Sequence, residues 1–511
     1  MEAITLNGIS KKIYLTLTPP TEEDSRSYQV RIMDALADQG LETRMSLAVM
    51  RKLYPLCDAS DWKITVSLAW DGHCWEIVNA EAGDTSNEHY GLATDIGSTT
   101  VVTRLLNCNT GECLAEVSSY NHQIAYGTDI LTRIFYCKDN PTALEEIRRA
   151  TIDTLLENFK KIEKTTGIST QSCIQMTVAA NTTMIHFLLG MDAFCVFSTP
   201  YAVRADHPDF ILGKELDIPV LGYVYCYPNK SNYLGGDIIS GMVATELYKE
   251  KDICVFFDIG TNGELVIGNE EFLLCGAGAA GPALEGGVVE TGMRATEGAV
   301  DEVHIKNHQI QIHVIGETKP LGICGSGIID LLAELFLHGW VDIKGTLHPE
   351  ASSLIQKKED FYAVEYAPGL FFSQNDINEF MRTKAAGYTM VAYMLRESGI
   401  TAQDISKFYV AGAFGKHVSK ESAITIGLYP DMDRDRLISA GNSSLEGAQK
   451  VLLHKEVLDD IDIILEKMVY LQYGAAADFL DFMVAAQALP HTNMELFPTV
   501  KEKLEAIQNP K

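Results

Sequence analysis

The chain has 511 residues, a formal net charge of −28 and 46% hydrophobic residues. That length and apolar content suit several domains with large cores. The acidity excludes nucleic acid and anionic membrane as main partners, since both need a basic face.

Residues 1–80 read as a small α+β unit. KKIYLTLTPP is a strand. Thr21-Glu22-Glu23-Asp24 resembles a capping box, with a helix expected to run on to about Gln39 and stop at Gly40. WKITVSLAW and HCWEIVNA alternate as strands, with Asp71-Gly72 expected as a two-residue hairpin turn. Residues 81–91 are polar and small and read as a linker.

A second region begins near Gly91. YGLATDIGSTTVVTRLLNCNTGECL reads as strand, Asp95-Ile96-Gly97-Ser98-Thr99-Thr100, strand, turn, strand. Leu144, Ile147, Ile152, Leu155, Leu156, Phe159 and Ile162 then recur at helical spacing, ending at Gly167. CIQMTVAANTTMIHFLLG reads as strand, Asn turn and helix. NYLGGDIISGMVATELY reads as a loop holding Gly235 and Gly236, with Asp237 opening a helix. CVFFDIGTNGELVIG then repeats the earlier grammar: apolar strand, Asp258-Ile259-Gly260-Thr261-Asn262-Gly263, apolar strand. Residues 375–398 form a long amphipathic helix ended by Gly399, and ISKFYVAGAFG is a strand running into Gly412, Phe414 and Gly415.

Taken singly, an Asn-Gly turn is an ordinary hairpin. The repeat changes its meaning. Two such hairpins, one on each of two similar lobes, can clamp a polyphosphate: loop N–H groups and hydroxyls donate to phosphate oxygens, and aspartates hold Mg²⁺. The Ala411–Gly415 stretch matches neither the dinucleotide fingerprint nor the P-loop. The 13 histidines show no metal-binding spacing, and the 11 cysteines no disulfide framework, which suits reduced thiols. No apolar run approaches transmembrane length and MEAITLNGISKK lacks a signal-peptide core, so a cytoplasmic protein without membrane association is expected.

The order Asp95-Ile-Gly-Ser-Thr, Gly235-Gly-Asp, Asp258-Ile-Gly-Thr-Asn-Gly, Ala411-Gly-Ala-Phe-Gly resembles the actin-like (ASKHA) ATPase superfamily. QIAYGTDILTRIFY, AANTTMIHFLLG, GAGAAGPALEGGVVETGMRATEGAV, LGICGSGIIDLLAEL, INEFMRTKAAGYTMVAYML and AGAFGKHVSKESAITIGLYPD…ISAGNSSLEGA together resemble the reductive activators of corrinoid proteins, over roughly residues 90–490. The N-terminal segment is similar to the small middle domain of that family. The resemblance implies an α/β fold: a two-lobed actin-like ATPase preceded by a small α+β domain. The implied domains are 1–80 (small domain), 81–91 (linker), 92–250 (first lobe), 251–455 (second lobe with the adenosine motif) and 456–511 (C-terminal helical segment).

The same resemblance implies ATP and Mg²⁺ as cofactors. Asp95 and Asp258 would organise Mg²⁺ and the attacking water. Gly97, Ser98, Thr99, Thr100, Gly260, Thr261, Asn262 and Gly263 would cradle phosphates; Gly235, Gly236 and Asp237 would begin the connecting helix. Gly412, Phe414 and Gly415 would flank adenosine, and Gly325 and Ser326 of GICGSGIID would form a nucleotide-cleft loop beside a structural Cys324. The implied activity is ATP-driven return of a corrinoid cofactor from Co(II) to Co(I), with a corrinoid protein as partner and a homodimer as the working form. The family's reductases usually carry an iron–sulfur domain. Here Cys108-x₄-Cys113 lacks the next ligand, because residue 116 is Glu. No iron–sulfur cluster is therefore expected in this chain, and electrons would come from a separate donor, possible as an iron–sulfur protein. Two rivals share the scaffold: a small-molecule kinase, with Asp237 or Asp129 as base, and a non-redox ATP-dependent clamp or assembly factor.

Overall fold

A computed structural model of the chain describes residues 6–260, 262–279, 281, 287, 289–412, 418–473 and 478–508. Two compact units emerge: Met1–Ala244 with Ser443–Glu466, and Thr245–Asn442 with Lys467–Lys511.

The first unit opens with strands β1 (Ser10–Thr16), β2 (Thr43–Met45), β3 (Lys63–Trp70) and β4 (Trp75–Ala82), in the order β1-β3-β4-β2. Their apolar faces cover Ile32 and Leu36 of the helix Tyr28–Ala37, together with Val49 and Leu53. The helix starts later than the capping-box pattern predicts. Asp24 is tied to Arg26 and Arg31 at 2.8 Å, and Thr21–Asp24 closes on itself as a turn. Ser27 caps the helix instead, through the Val30 N–H. The β3–β4 connection also differs from the two-residue turn. Trp70 pairs with Trp75, leaving the four-residue loop 71–74, because Asp71 Oδ1 accepts the N–H groups of both His73 and Cys74.

The same unit contains a second sheet of β5 (Tyr90–Ile96), β6 (Thr100–Asn107), β7 (Cys113–Tyr120), β8 (Met176–Ala180), β9 (Asp209–Leu212) and β10 (Tyr223–Cys226), ordered β7-β6-β5-β8-β10-β9. β5, β8 and β10 run parallel. The helix Pro141–Thr166 lies on this sheet; Asn140 caps it, Pro141 opens it and left-handed Gly167 ends it. Its apolar stripe enters a core with Leu92, Ile96, Met176 and Val178. The helix Ser443–Leu453 returns to this unit: Thr177 Oγ1 donates to Ala448 O at 2.8 Å.

The second unit repeats the plan. Its main sheet holds β11 (Cys254–Ile259), β12 (Asn262–Gly268) and β13 (Leu273–Ala279). Two three-stranded sheets follow: β14 (Ala299–Lys306), β15 (Gln309–Val314) and β16 (Gly322–Ile323), then β17 (Ile355–Lys358), β18 (Phe361–Ala367) and β19 (Leu370–Ser373). β20 (Lys407–Ala411), β21 (Leu437–Gly441) and β22 (Met468–Tyr470) complete the main sheet in the order β21-β20-β11-β12-β13-β22. The run β13-β12-β11-β20-β21 thus matches β7-β6-β5-β8-β10: an antiparallel three-strand meander with two further strands beside its first member. The predicted helix at 375–398 is present as Gln374–Ser398, with a Ser373/Asp376 capping box and Gly399 at φ +68°. Among the described residues no helix is long and apolar enough to cross a membrane.

Candidate nucleotide site

Strands buried on both faces read as continuous apolar runs, so a polar residue within one stands out. In β11 every residue is buried except Asp258, which is half-buried. In β5 Asp95 is likewise half-buried, between buried Thr94 and Ile96. Each aspartate lies between a hairpin strand and a parallel strand: Asp95 is across from Val102 on the hairpin and Ala179 on the parallel strand, Asp258 across from Glu264 and Ala411. Both stand at the C-terminal ends of parallel strands, where open α/β sheets place ligands.

In the first unit, Gly97 leaves β5 with its N–H donated to Thr100 O at 3.0 Å. A Cβ at Gly97 would stand 2.6 Å from that same oxygen, so the turn requires glycine. Every carbonyl of the turn is then tied from one side. Asn121 Nδ2 donates to Gly97 O at 2.9 Å, Arg133 Nη1 to Ser98 O at 2.7 Å, and the Asn121 N–H to Thr99 O at 2.9 Å. In a trans peptide the N–H points opposite to the preceding carbonyl. The N–H groups of Ser98 and Thr99 therefore point away from Asn121 and Arg133. Successive N–H groups aimed one way form an anion nest.

Asn121 is fully buried and also caps its own turn through Gln123 N–H. Sequence reasoning missed Asn121, Gln123 and Arg133 as parts of this turn, though all but Asn121 lie in the QIAYGTDILTRIFY segment. Nothing in their local pattern marks them, and only the fold brings them behind residues 97–99.

The Gly235-Gly236-Asp237 loop meets the same sheet edge. A Cβ on Gly235 would lie 2.5 Å from Asn181 Cα, and one on Gly236 2.6 Å from Tyr227 Cβ. Asn181 follows β8 and caps the helix Thr182–Leu188, as the Asn turn predicts. Asp237 opens the helix Gly236–Thr245, its Oδ1 accepting the Ile238 N–H. Ser444 Oγ donates to Asp237 O at 3.3 Å. Asp95, the 97–100 turn, the Asn181 cap and Gly235–Asp237 all stand at or beside the C-terminal ends of β5, β8 and β10.

In the second unit, Gly260 N–H donates to Asn262 O at 2.8 Å, closing the turn that carries Asp258. Gly412 has φ +84°, and a Cβ there would come within 3.1 Å of Asp258 Oδ1. The two motifs, 154 residues apart in the sequence, are thus side by side. Gly263 does different work: a Cβ there would meet Met390 Cε at 2.4 Å, so this glycine lets the helix Gln374–Ser398 close on the hairpin. Gly325 and Ser326 open the helix Gly325–Leu337 after β16, with Ser326 5% exposed. Cys324 is buried, its thiol against Val300 O and Ser326 Oγ, a packing role. Thr261, Phe414 and Gly415 lie outside the described residues.

Asp129, a candidate base for a kinase, caps the helix Ile130–Cys137. Its carboxylate accepts from the Thr132 N–H and hydroxyl, which hold its pKa below the usual carboxylate value. Among the described residues no cluster of His, Cys, Asp and Glu is built to hold a metal by itself. A divalent ion bridged to phosphates needs only one or two carboxylates, so this donor set fits Mg²⁺ bound with nucleotide.

Comparison with known proteins supplies the lineage. Residues 1–87 match the RACo linker region, 90–250 the RACo middle region, and 252–501 the C-terminal domain of RACo, the ASKHA domain. The chain is 32% identical over 385 residues to the corrinoid activation enzyme RamQ of Eubacterium limosum, a match covering 72% of this chain and 65% of RamQ. It is 24% identical over 425 residues to the [Co(II) methylated amine-specific corrinoid protein] reductase of Methanosarcina barkeri, covering 77% of this chain and 76% of that protein. A solved structure of a reductive activator for corrinoid, iron-sulfur protein superposes with a TM-score of 0.90 at 34% identity, over 98% of this chain and 82% of the other. With the linker, middle and ASKHA regions in this order and that fold throughout, the chain belongs to the RACo family.

Proposed function

We propose that the protein is an ATP-dependent reductive activator of a corrinoid methyl-transfer protein. It would return the partner's cobalt from Co(II) to Co(I) by one electron, taken from a separate low-potential donor such as an iron–sulfur protein. The observation that carries this reading is the duplicated strand–Asp–Gly turn, with an aspartate in the same place in two similar sheets. The relatives' names supply the substrate class.

On this reading the residues divide the labour. Asp95 and Asp258 hold Mg²⁺, which neutralises phosphate charge when bound. The N–H groups of Ser98 and Thr99, the Ser98, Thr99, Thr100 and Thr261 side chains, Asn262 and the Gly260 turn receive phosphate oxygens. The N-terminus of Gly236–Thr245 adds a favourable dipole for an anion. Gly325 and Ser326, with Gly412, Phe414 and Gly415, bracket the nucleoside. Little covalent chemistry is asked of the protein; positioning and charge suffice for phosphoryl transfer to water. The eleven cysteines remain thiols, in keeping with a reducing cytoplasm, and a homodimer is the proposed working form.

The test is to mix the protein anaerobically with a Co(II) corrinoid protein from the same source, a low-potential reductant and Mg-ATP, and follow the cobalt spectrum. Growth of Co(I) that depends on ATP is the expected result. Absence of Co(I), with the partner shown competent by a cluster-bearing activator, would reject the proposal.

A further inference from the structure

Arg133 is a buried cation whose contacts are all neutral. It is 0% exposed. Its Nη1 donates to Ser98 O at 2.7 Å and Gln123 Oε1 at 3.1 Å, and its Nε to Gly127 O at 2.9 Å. Nη2 has no partner among the described residues. Nor does any carboxylate there come within ion-pair distance of the guanidinium. The acid one turn earlier, Asp129, acts on it only through space, its carboxylate being taken up as the cap of the helix Ile130–Cys137. Buried charges are normally paired, because taking an ion out of water is expensive. A site that keeps such an arginine in the interior therefore lacks a counter-ion in contact with it.

The position of that counter-ion follows from the turn. Arg133 holds the carbonyl of Ser98, the central residue of a loop whose N–H groups are aimed to the opposite side. An anion cradled by those N–H groups would sit across a single peptide layer from the guanidinium, in a setting where solvent screens little. We propose that Arg133 is a positioning residue of the anion site at residues 97–100: it orients the Ser98–Thr99 peptide toward a phosphate group and supplies the buried positive charge that the phosphate neutralises. This inference rests on the nucleotide reading above and deepens it.

Two further observations support it. Burial pushes the Arg133 pKa down to about 10, which leaves the group charged at neutral pH. And the bonds from Nη1 and Nε to Ser98 O, Gln123 Oε1 and Gly127 O fix the guanidinium behind the turn. Gln123 is itself fixed by donating to Thr151 Oγ1 at 2.6 Å.

The test measures binding of tripolyphosphate, Mg-ATP and adenosine by calorimetry, in wild type, Arg133→Met, Arg133→Gln and Arg133→Lys. Arg133→Met should weaken tripolyphosphate and Mg-ATP at least tenfold and adenosine less than twofold, and Arg133→Lys should recover much of the loss. A merely structural arginine predicts parallel losses for all three ligands and no advantage of lysine over glutamine, which would overturn the proposal. If Arg133→Met does not fold, the lysine–glutamine comparison decides alone. Wild type that binds Mg-ATP as tightly as Arg133→Met overturns this inference and leaves the nucleotide reading intact. Wild type that binds neither tripolyphosphate nor Mg-ATP overturns both.

Discussion

Gly412→Ala isolates the contact between the two motifs of the second unit. Gly412 has φ +84°, and its added Cβ would lie 3.1 Å from Asp258 Oδ1. An L-residue in the left-handed region costs about 1–2 kcal/mol, offset by roughly 0.4–1 kcal/mol from reduced freedom of the unfolded chain. The net loss of stability is about 1 kcal/mol, a shift of a few degrees in melting temperature for a unit of this size. The second consequence is local: at 3.1 Å the carboxylate of Asp258 must give by a few tenths of an ångström. If Asp258 orients Mg²⁺, misplacement of that order should lower Mg-ATP hydrolysis on the order of tenfold, since errors near 1 Å are worth about a hundredfold. Gly399→Ala is the control. Gly399 has φ +68° with nothing within 4 Å of its Cβ, so it should lose similar stability and keep its turnover. Hydrolysis by a coupled assay and melting by circular dichroism read the two effects separately. Full turnover in Gly412→Ala, or equal loss in both variants, would refute the link between Gly412 and a working Asp258.

Asp95→Asn and Asp258→Asn should each lower Mg-dependent ATP hydrolysis by at least a hundredfold, with melting temperatures close to wild type; unchanged turnover in both would remove the aspartates from the site. His89 is buried, with Nε2 at 2.8 Å from Ser10 Oγ and Nδ1 at 2.9 Å from Asn109 Oδ1, and burial pushes its pKa down to about 4. An unfolded histidine titrates near pH 6.5, so the folded state binds fewer protons between these values. Its contribution is complete above about pH 6.5 and is lost as pH falls to 4, by about 3 kcal/mol. Urea melts across that range should show a shallower decline for His89→Gln than for wild type. Lys384 is fully buried, and its ammonium donates to Ala486 O, Ala488 O and Pro490 O at 2.7, 2.6 and 2.5 Å. Lys384→Ala should destabilise the second unit by about 3 kcal/mol through three orphaned carbonyls. Hydrogen exchange in the helix Phe479–Ala486 and the turn after it should then speed up, and unaltered exchange would show that the turn is held by other contacts.

The legible part of the protein was whatever rests on local pattern. Apolar periodicity marked the helices Pro141–Thr166 and Gln374–Ser398, and Gly167 and Gly399 ended them, because a left-handed residue after a helix favours glycine wherever it occurs. The duplicated Asp-Ile-Gly signature showed as an internal repeat because each copy is a contiguous strand–turn–strand. Local pattern failed where a distant or competing partner decided the conformation. Thr21–Asp24 became a turn because Arg26 and Arg31 claimed Asp24, and Asp71 lengthened its hairpin loop by accepting two N–H groups.

Other features exist only in three dimensions. Gly412 beside Asp258, Arg133 and Asn121 behind the 97–100 turn, and residues 443–466 returning to the first unit are contacts between residues far apart in sequence. The sequence by itself determined which segments could be strands, helices and glycine turns, since those depend on φ, ψ and side-chain alternation within a few residues. Only the tertiary structure decided which carbonyls of the 97–100 turn are tied inward, and therefore that the Ser98 and Thr99 N–H groups face the other way.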